Sequence, residues 1–152
     1  MRYFEESYAD IINDIKELLP KHYSEAVLYS DKIPLDPAYD IYELLYVQGA
    51  ARFFTCRDDS NKLIAYIIVI VTENLQSSAT LIAKTDMIYV SPEHRHTSVV
   101  EDLIRTAENT LKSEGVSMMV ISFLSSNPCR SLMDKLEFDK SDVTYTKLLM
   151  EK

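Results

Sequence analysis

Glycine is scarce in this chain: only Gly49 and Gly115 occur among 152 residues. Few positions can therefore take a positive φ without strain, which excludes a phosphate cradle built from repeated glycines. Tryptophan is absent, and the two cysteines, Cys56 and Cys129, lie far apart. Their spacing fits neither a zinc knuckle nor a redox dithiol, so buried thiols are expected. The longest apolar run, LIAYIIVIV at 63–71, is too short to cross a bilayer as a helix. The stretch MRYFEESYADIINDIKELLP is amphipathic and acidic, with no apolar signal core. Positive charge is short as well: 16 Lys and Arg against 24 Asp and Glu give a formal net charge of −8. Such a surface repels a nucleic-acid backbone. The expectation is a soluble, cytoplasmic protein with neither a nucleic-acid nor a membrane partner. The charge either keeps the protein in solution or presents an acidic face to a basic partner or an amine.

What is present is ordinary for one globular domain spanning residues 1–152, with 47% apolar and 26% charged residues. Apolar positions Phe4, Tyr8, Ile11, Ile12, Ile15, Leu18 and Leu19 recur at helical spacing, which predicts a helix over 4–19 stopped by Pro20. A second short helix is expected over 21–29, then a loop carrying Pro34 and Pro37. AYDIYELLYVQG follows as a helix capped by Gly49. ARFFTCR and KLIAYIIVIV flank the polar turn DDSN and form a hairpin. The second of these strands is apolar throughout, as a central strand covered on both faces would be. TLIAKTDMIYV is a third strand, 98–114 a helix stopped by Gly115, VSMMVISFL a fourth strand and PCRSLMDKLEF a short helix. VTYTKLLM closes the chain as a strand. The strand–helix–strand unit at 81–124 implies parallel strands joined by a right-handed crossover. The fold class is mixed α/β, one sheet with helices on both faces.

The stretch YVSPEHRHTSVVEDLIRTAE, residues 89–108, carries the chemistry. A strand turns at Pro92, presents His94, Arg95 and His96, and becomes a helix. Unpaired amides and the helix dipole favour an anion at such a start. Arg95 can add a charge-assisted contact to a phosphate. His94 and His96 lack the further ligands that zinc needs, so no metal is expected.

DMIYVSPEHRHTSVVEDLIRTAENTLKSEGV resembles the fourth strand and central helix of the GNAT superfamily of N-acetyltransferases. SSNPCRSLMDKLEF resembles its last helix. HYSEAVLYSDKIPLDPAYDIYELLYVQGAARFFTCRDDSNKLIAYIIV is similar to a bacteriophage-encoded branch. The resemblance implies transfer of acetyl from acetyl-CoA to an amine acceptor. It implies that the loop of Arg95, His96, Thr97, Ser98, Val99 and Val100 holds the pyrophosphate. Backbone groups of Ile88 and Val90 would pair with the pantetheine arm, and Asn127 would also touch the cofactor. His22 and Glu25 match a pair that lines the substrate pocket in the phage branch; the other reading is a helix cap or surface pair. Asp36 and Asp40 either add acidity for an amine or cap the AYDIYELL helix. Asp86 is the candidate general base, or else an ordinary polar residue on a strand face.

Departures from the family pattern bear on activity. Ser98 and Val100 stand where the loop carries Gly and Gly/Ala, and Thr97 where the phage branch tends to glycine. The isopropyl group of Val100 either intrudes on the cofactor or joins the buried helix stripe. Met133 replaces the tyrosine that protonates the leaving thiolate, which passes that role to Tyr145, with Cys129 the poorer candidate. Two functions follow: an acetyl-CoA-dependent N-acetyltransferase, or a catalytically silent relative that binds a host or viral protein.

Overall fold

The structure, a computed structural model, describes residues 1–124 and 129–150. The chain opens with a strand, β1 (Arg2–Glu6), and not with the expected helix. Phe4 falls at helical spacing from Tyr8, but β1 pairs antiparallel with β2 (Ala51–Arg57), Tyr3 opposite Cys56. Ion pairing fastens it: Arg57 Nε meets Glu6 Oε2 at 2.9 Å, and its Nη2 meets Asp14 Oδ2 at 2.7 Å. Ser7 ends the strand and caps the first helix, its Oγ accepting the Asp10 N–H at 3.2 Å.

That helix, α1 (Tyr8–Ala26), runs through Pro20 and absorbs the second short helix that the sequence suggested. An internal proline removes one i→i−4 bond and clashes with the preceding turn. Here Leu19 and His22, on either side of it, are both buried. Packing therefore carries the helix past the break. After the loop comes α2 (Tyr39–Val47), ended by Gly49 at φ +74°. Its N-cap is Ala38, with no side-chain cap, so Asp36 does not cap it.

β2 and β3 (Leu63–Asn74) form the expected hairpin; β4 (Ser77–Val90) pairs antiparallel with β3. α3 (Val99–Ser113), stopped by Gly115 at φ +86°, leads to β5 (Val116–Val120), parallel to β4. The sheet order is β1-β2-β3-β4-β5, which makes β3, apolar from Leu63 to Val71, the middle strand. Its alternate residues feed two cores. Tyr66 and Ile68 pack with Ile11, Ile15, Leu19 and Phe53 beneath α1 and α2. Ala65, Ile67 and Val69 pack with Leu103, Ile104, Ala107 and Leu111 of α3. Burying each such aliphatic side chain contributes about 1.5–3 kcal/mol. A mixed sheet with helices on both faces is thus the observed architecture.

The carboxy-terminal part differs most from expectation. β5 stops at Val120, and 121–124 are not strand. The helix after it, α4, spans only Arg130–Lys135. VTYTKLLM forms no strand; Val143, Tyr145 and Leu149 are exposed. Its alternation suits a strand, but a strand exists only in a ladder, and this segment has no partner among the described residues.

Candidate active site

Asp86 of β4 falls out of register, and the site is built around it. Met87 lies opposite Ile68 and Thr85 opposite Val69, which leaves Asp86 as the extra residue of a β-bulge. A bulge bends its strand and re-aims side chains. Ala83 below it sits in the α3 core, whereas Met87 and Tyr89 above it pack on the α1–α2 side. Asp86 meets α2 there: Tyr42 Oη donates to Asp86 Oδ2 at 2.5 Å. Burial, then the Asp86 carboxylate, raises the Tyr42 pKa, so the phenol stays a donor at neutral pH.

Beyond the bulge the sheet opens. The β4–β5 ladder runs from Leu81–Val116 to Lys84–Val120 and then ends. One further link follows, from the Ser122 N–H to Thr85 Oγ1 at 3.1 Å. From Asp86 to Val90 that edge of β4 has no strand beside it among the described residues. A cavity of about 900 Å³ fills the gap. Its walls include Asp86 to Val90 on one side and Ser122, Phe123 and Cys129 on another. Toward α1 it reaches Leu19, His22 and Glu25; toward the start of α3 it reaches Arg95 and Val100.

His22 sits deep in this wall. Its Nδ1 lies 2.7 Å from Tyr66 Oη, and its ring lies 5.1 Å from that of Tyr89. Burial lowers its pKa from 6.5 to about 4, opposed by nearby Glu25 and assisted by Arg95. His22 is therefore a neutral imidazole in a nest of neutral phenols: burial raises the pKa of both Tyr66 and Tyr89. The alternative of a helix cap or surface pair does not describe His22, which is 6% exposed. Glu25 forms an ion pair with Arg95 Nη2. Arg95 Nε donates to the Val90 carbonyl at 2.9 Å, and its guanidinium lies 5.8 Å from the Tyr89 ring centre.

The start of α3 supplies donors. Thr97 Oγ1 accepts the Val99 N–H at 3.3 Å, and Ser98 Oγ donates to Asp102 Oδ2 at 2.8 Å. The amides of His96, Ser98, Val100 and Glu101 have no acceptor among the described residues. The acids in the first turn are engaged elsewhere. Asp102 also accepts from Tyr3 at 3.1 Å, and Glu101 pairs with Lys135 at 2.5 Å and with Arg105. The side chain of Val99 belongs to the core at 2% exposure, so only its backbone faces the loop. Val100 is half-buried; it packs on the same core and also edges the cavity without closing it. The side chain of Val100 thus joins the helix stripe and also lines the cavity.

Other expected site residues fare differently. Tyr145 is 91% exposed on the carboxy-terminal segment and not on the expected last strand. Among the described residues no ladder pairs with this segment. Cys129 lines the cavity at the start of α4, its thiol pKa raised by burial. Met133 packs against the core. Asn127 lies outside the described residues. His94 Nδ1 is 3.0 Å from Ser91 Oγ. Sequence reasoning missed Tyr42 as the partner of Asp86 and Tyr66 as the partner of His22. Tyr39, Tyr42 and Tyr46 recur at helical spacing, as a packing stripe does, and all three pack against the core beneath α1 and α2.

Residues 12–138 match the Acetyltransferase (GNAT) family. No curated protein is significantly similar to the chain. Among solved structures, the ribosomal-protein-alanine N-acetyltransferase of Brucella melitensis biovar Abortus 2308 superposes with a TM-score of 0.71 at 16% identity, covering 99% of this chain and 100% of that one. An aminoglycoside acetyltransferase from an uncultured soil metagenomic sample, in complex with sisomicin, gives 0.75 at 12%, covering 98% and 96%. Glucosamine-6-phosphate N-acetyltransferase from Arabidopsis thaliana gives 0.72 at 10%, covering 98% of each chain. At these identities the likeness speaks to the fold, and the family match extends over most of the sequence. The chain belongs to the GNAT family of acetyltransferases.

Proposed function

We propose that this protein is an acetyl-CoA-dependent N-acetyltransferase acting on a primary amine. The parting of β4 and β5 after Lys84–Val120, into a cavity that reaches from Asp86 to Arg95 and Val100 at the start of α3, is the observation that carries the reading. A cleft of about 900 Å³ has room for an extended arm and an acceptor together. The unpaired edge at Ile88 and Val90 suits a pantetheine arm, and the amides of 96–101, with Arg95, suit its diphosphate. Acetyl-CoA supplies the acetyl group as a thioester. Asp86 takes the proton of the attacking amine, directly or through one water, with Tyr42 holding the carboxylate in place. The Cys129 thiol, kept protonated by burial on the cavity wall, replaces Tyr145 as the donor to the departing thiolate. The acceptor end is the wall of His22, Glu25 and Asp36, which includes the Leu35-Asp36-Pro37 segment that resembles the phage branch.

An acetyl-CoA thermal-shift series tests the proposal. Ligand at a hundred times its dissociation constant adds roughly 2.7 kcal/mol to the folded state. A rise in melting temperature that saturates with acetyl-CoA supports the reading. No rise at millimolar acetyl-CoA sinks it and leaves the silent binding protein.

A further inference from the structure

Arg95 faces two ways. It stands at the turn before α3, beside the open amides, yet its Nη2 is held by Glu25 of α1, and both residues line the cavity. Its Nε is held by the Val90 carbonyl, on the strand edge that the cleft exposes. The Glu25 pair is 41% and 35% exposed at its two side chains, a contact easily exchanged for a stronger one. A diphosphate offers bidentate, charge-assisted geometry that a single carboxylate contact does not. The cavity is also unbalanced in charge. Its described walls carry Glu25, Asp36 and Asp86, while Arg95 is their one guanidinium or ammonium. With Arg95 turned to a diphosphate, no lysine or arginine in the described wall replaces it beside Glu25, and the neighbouring His22 is a buried, neutral imidazole.

Resting on the acetyl-CoA reading, we infer that Glu25 is a recognition residue for a cationic acceptor: it holds Arg95 in the free protein and is released to face the acceptor when a diphosphate claims that arginine. The cofactor thereby prepares the acceptor end. The acceptor class is an amine that carries positive charge besides the reacting group, a polyamine-like cation. Its second charge meets Glu25 while the reacting nitrogen reaches Asp86. Coenzyme A and such an acceptor then bind with positive coupling, and by linkage each raises the affinity of the other by the same factor. Glu25 and Arg95 also act oppositely on His22, which places that ring at the junction of the two ends.

Calorimetric titration of the full chain tests this with two probes, coenzyme A and spermidine, at fixed salt. Glu25→Gln removes the competitor for Arg95, so coenzyme A is expected to bind the variant roughly two- to five-fold more tightly than wild type, the size of a partly exposed ion pair. Glu25→Asp keeps the charge and should stay near wild type; melting curves confirm that both are folded. Spermidine should bind wild type more tightly when coenzyme A is saturating, and that coupling should vanish in Glu25→Gln. If wild type binds coenzyme A and Glu25→Gln gains nothing, or spermidine shows no coupling, the inference fails while the acetyl-CoA reading stands. If no form binds coenzyme A, that reading falls and takes the inference with it.

Discussion

Replacing His22 by Asn tests whether the cavity floor is built as described. Asn can keep a hydrogen bond to Tyr66 from near the Nδ1 position but cannot titrate. In the wild type, burial holds the imidazole pKa at about 4 instead of 6.5. A group with a lowered basic pKa binds more protons in the unfolded chain. Its contribution is thus complete above pH 6.5 and is lost as the pH falls toward 4. From pH 7.5 to pH 5, integration over the two pKa values gives a loss of about 2 kcal/mol from this one residue. Glu25, Arg95, Tyr66 and Tyr89 surround the ring, and only His22 is exchanged, so the pH dependence common to both proteins drops out of the comparison. The assay is urea unfolding of both proteins at pH 7.5 and pH 5. Wild type minus variant should shrink by about 2 kcal/mol between the two pH values. A difference that does not change with pH would refute the buried neutral imidazole, and with it the closed floor beside Tyr66.

Asp86→Asn should lower kcat/KM for acetyl transfer by roughly 10²- to 10⁴-fold while leaving coenzyme A affinity near wild type, the range for removing a general base. An equal loss of cofactor binding would instead make Asp86 a binding residue. Val100→Gly should lower stability by at least about 1 kcal/mol, since it puts glycine in the first turn of α3 and strips packing from the core. Its coenzyme A affinity should stay within a few-fold of wild type, because the cavity is already open beside the valine; a large gain would show that the side chain blocks the site. Tyr145→Phe should leave kcat unchanged, its hydroxyl being on an exposed segment; a large loss would mean that the carboxy-terminal segment folds over the site.

The sheet core was legible because its signals are dense. Nine apolar residues at 63–71 and the DDSN turn left little choice for β2 and β3, and the stripe of Val99, Leu103, Ile104, Ala107 and Leu111 marked α3. The first strand was not legible, because Phe4 is in phase with the helix that follows and pairing with a strand fifty residues away leaves no local mark. The last expected strand failed for the converse reason: alternation in VTYTKLLM states what a strand would need, not whether an edge is there to receive it. The site shows the same division. Asp86 could be singled out, and so could the loop from Arg95 to Val100. The bulge that turns Asp86 toward Tyr42 depends on a register that only the assembled sheet fixes. Three tyrosines at helical spacing look alike in the sequence, and only Tyr42 lands on the carboxylate. The Glu25–Arg95 pair joins residues seventy positions apart, beyond any spacing rule.

Backbone amide resonances followed during a coenzyme A titration give the most direct test of the central claim. The amides of His96, Ser98, Val100 and Glu101 should move together with those of Asp86 to Val90, saturating at one dissociation constant. If these signals stay in place at millimolar coenzyme A while the protein remains folded, the parted strands and open helix start do not form a cofactor site.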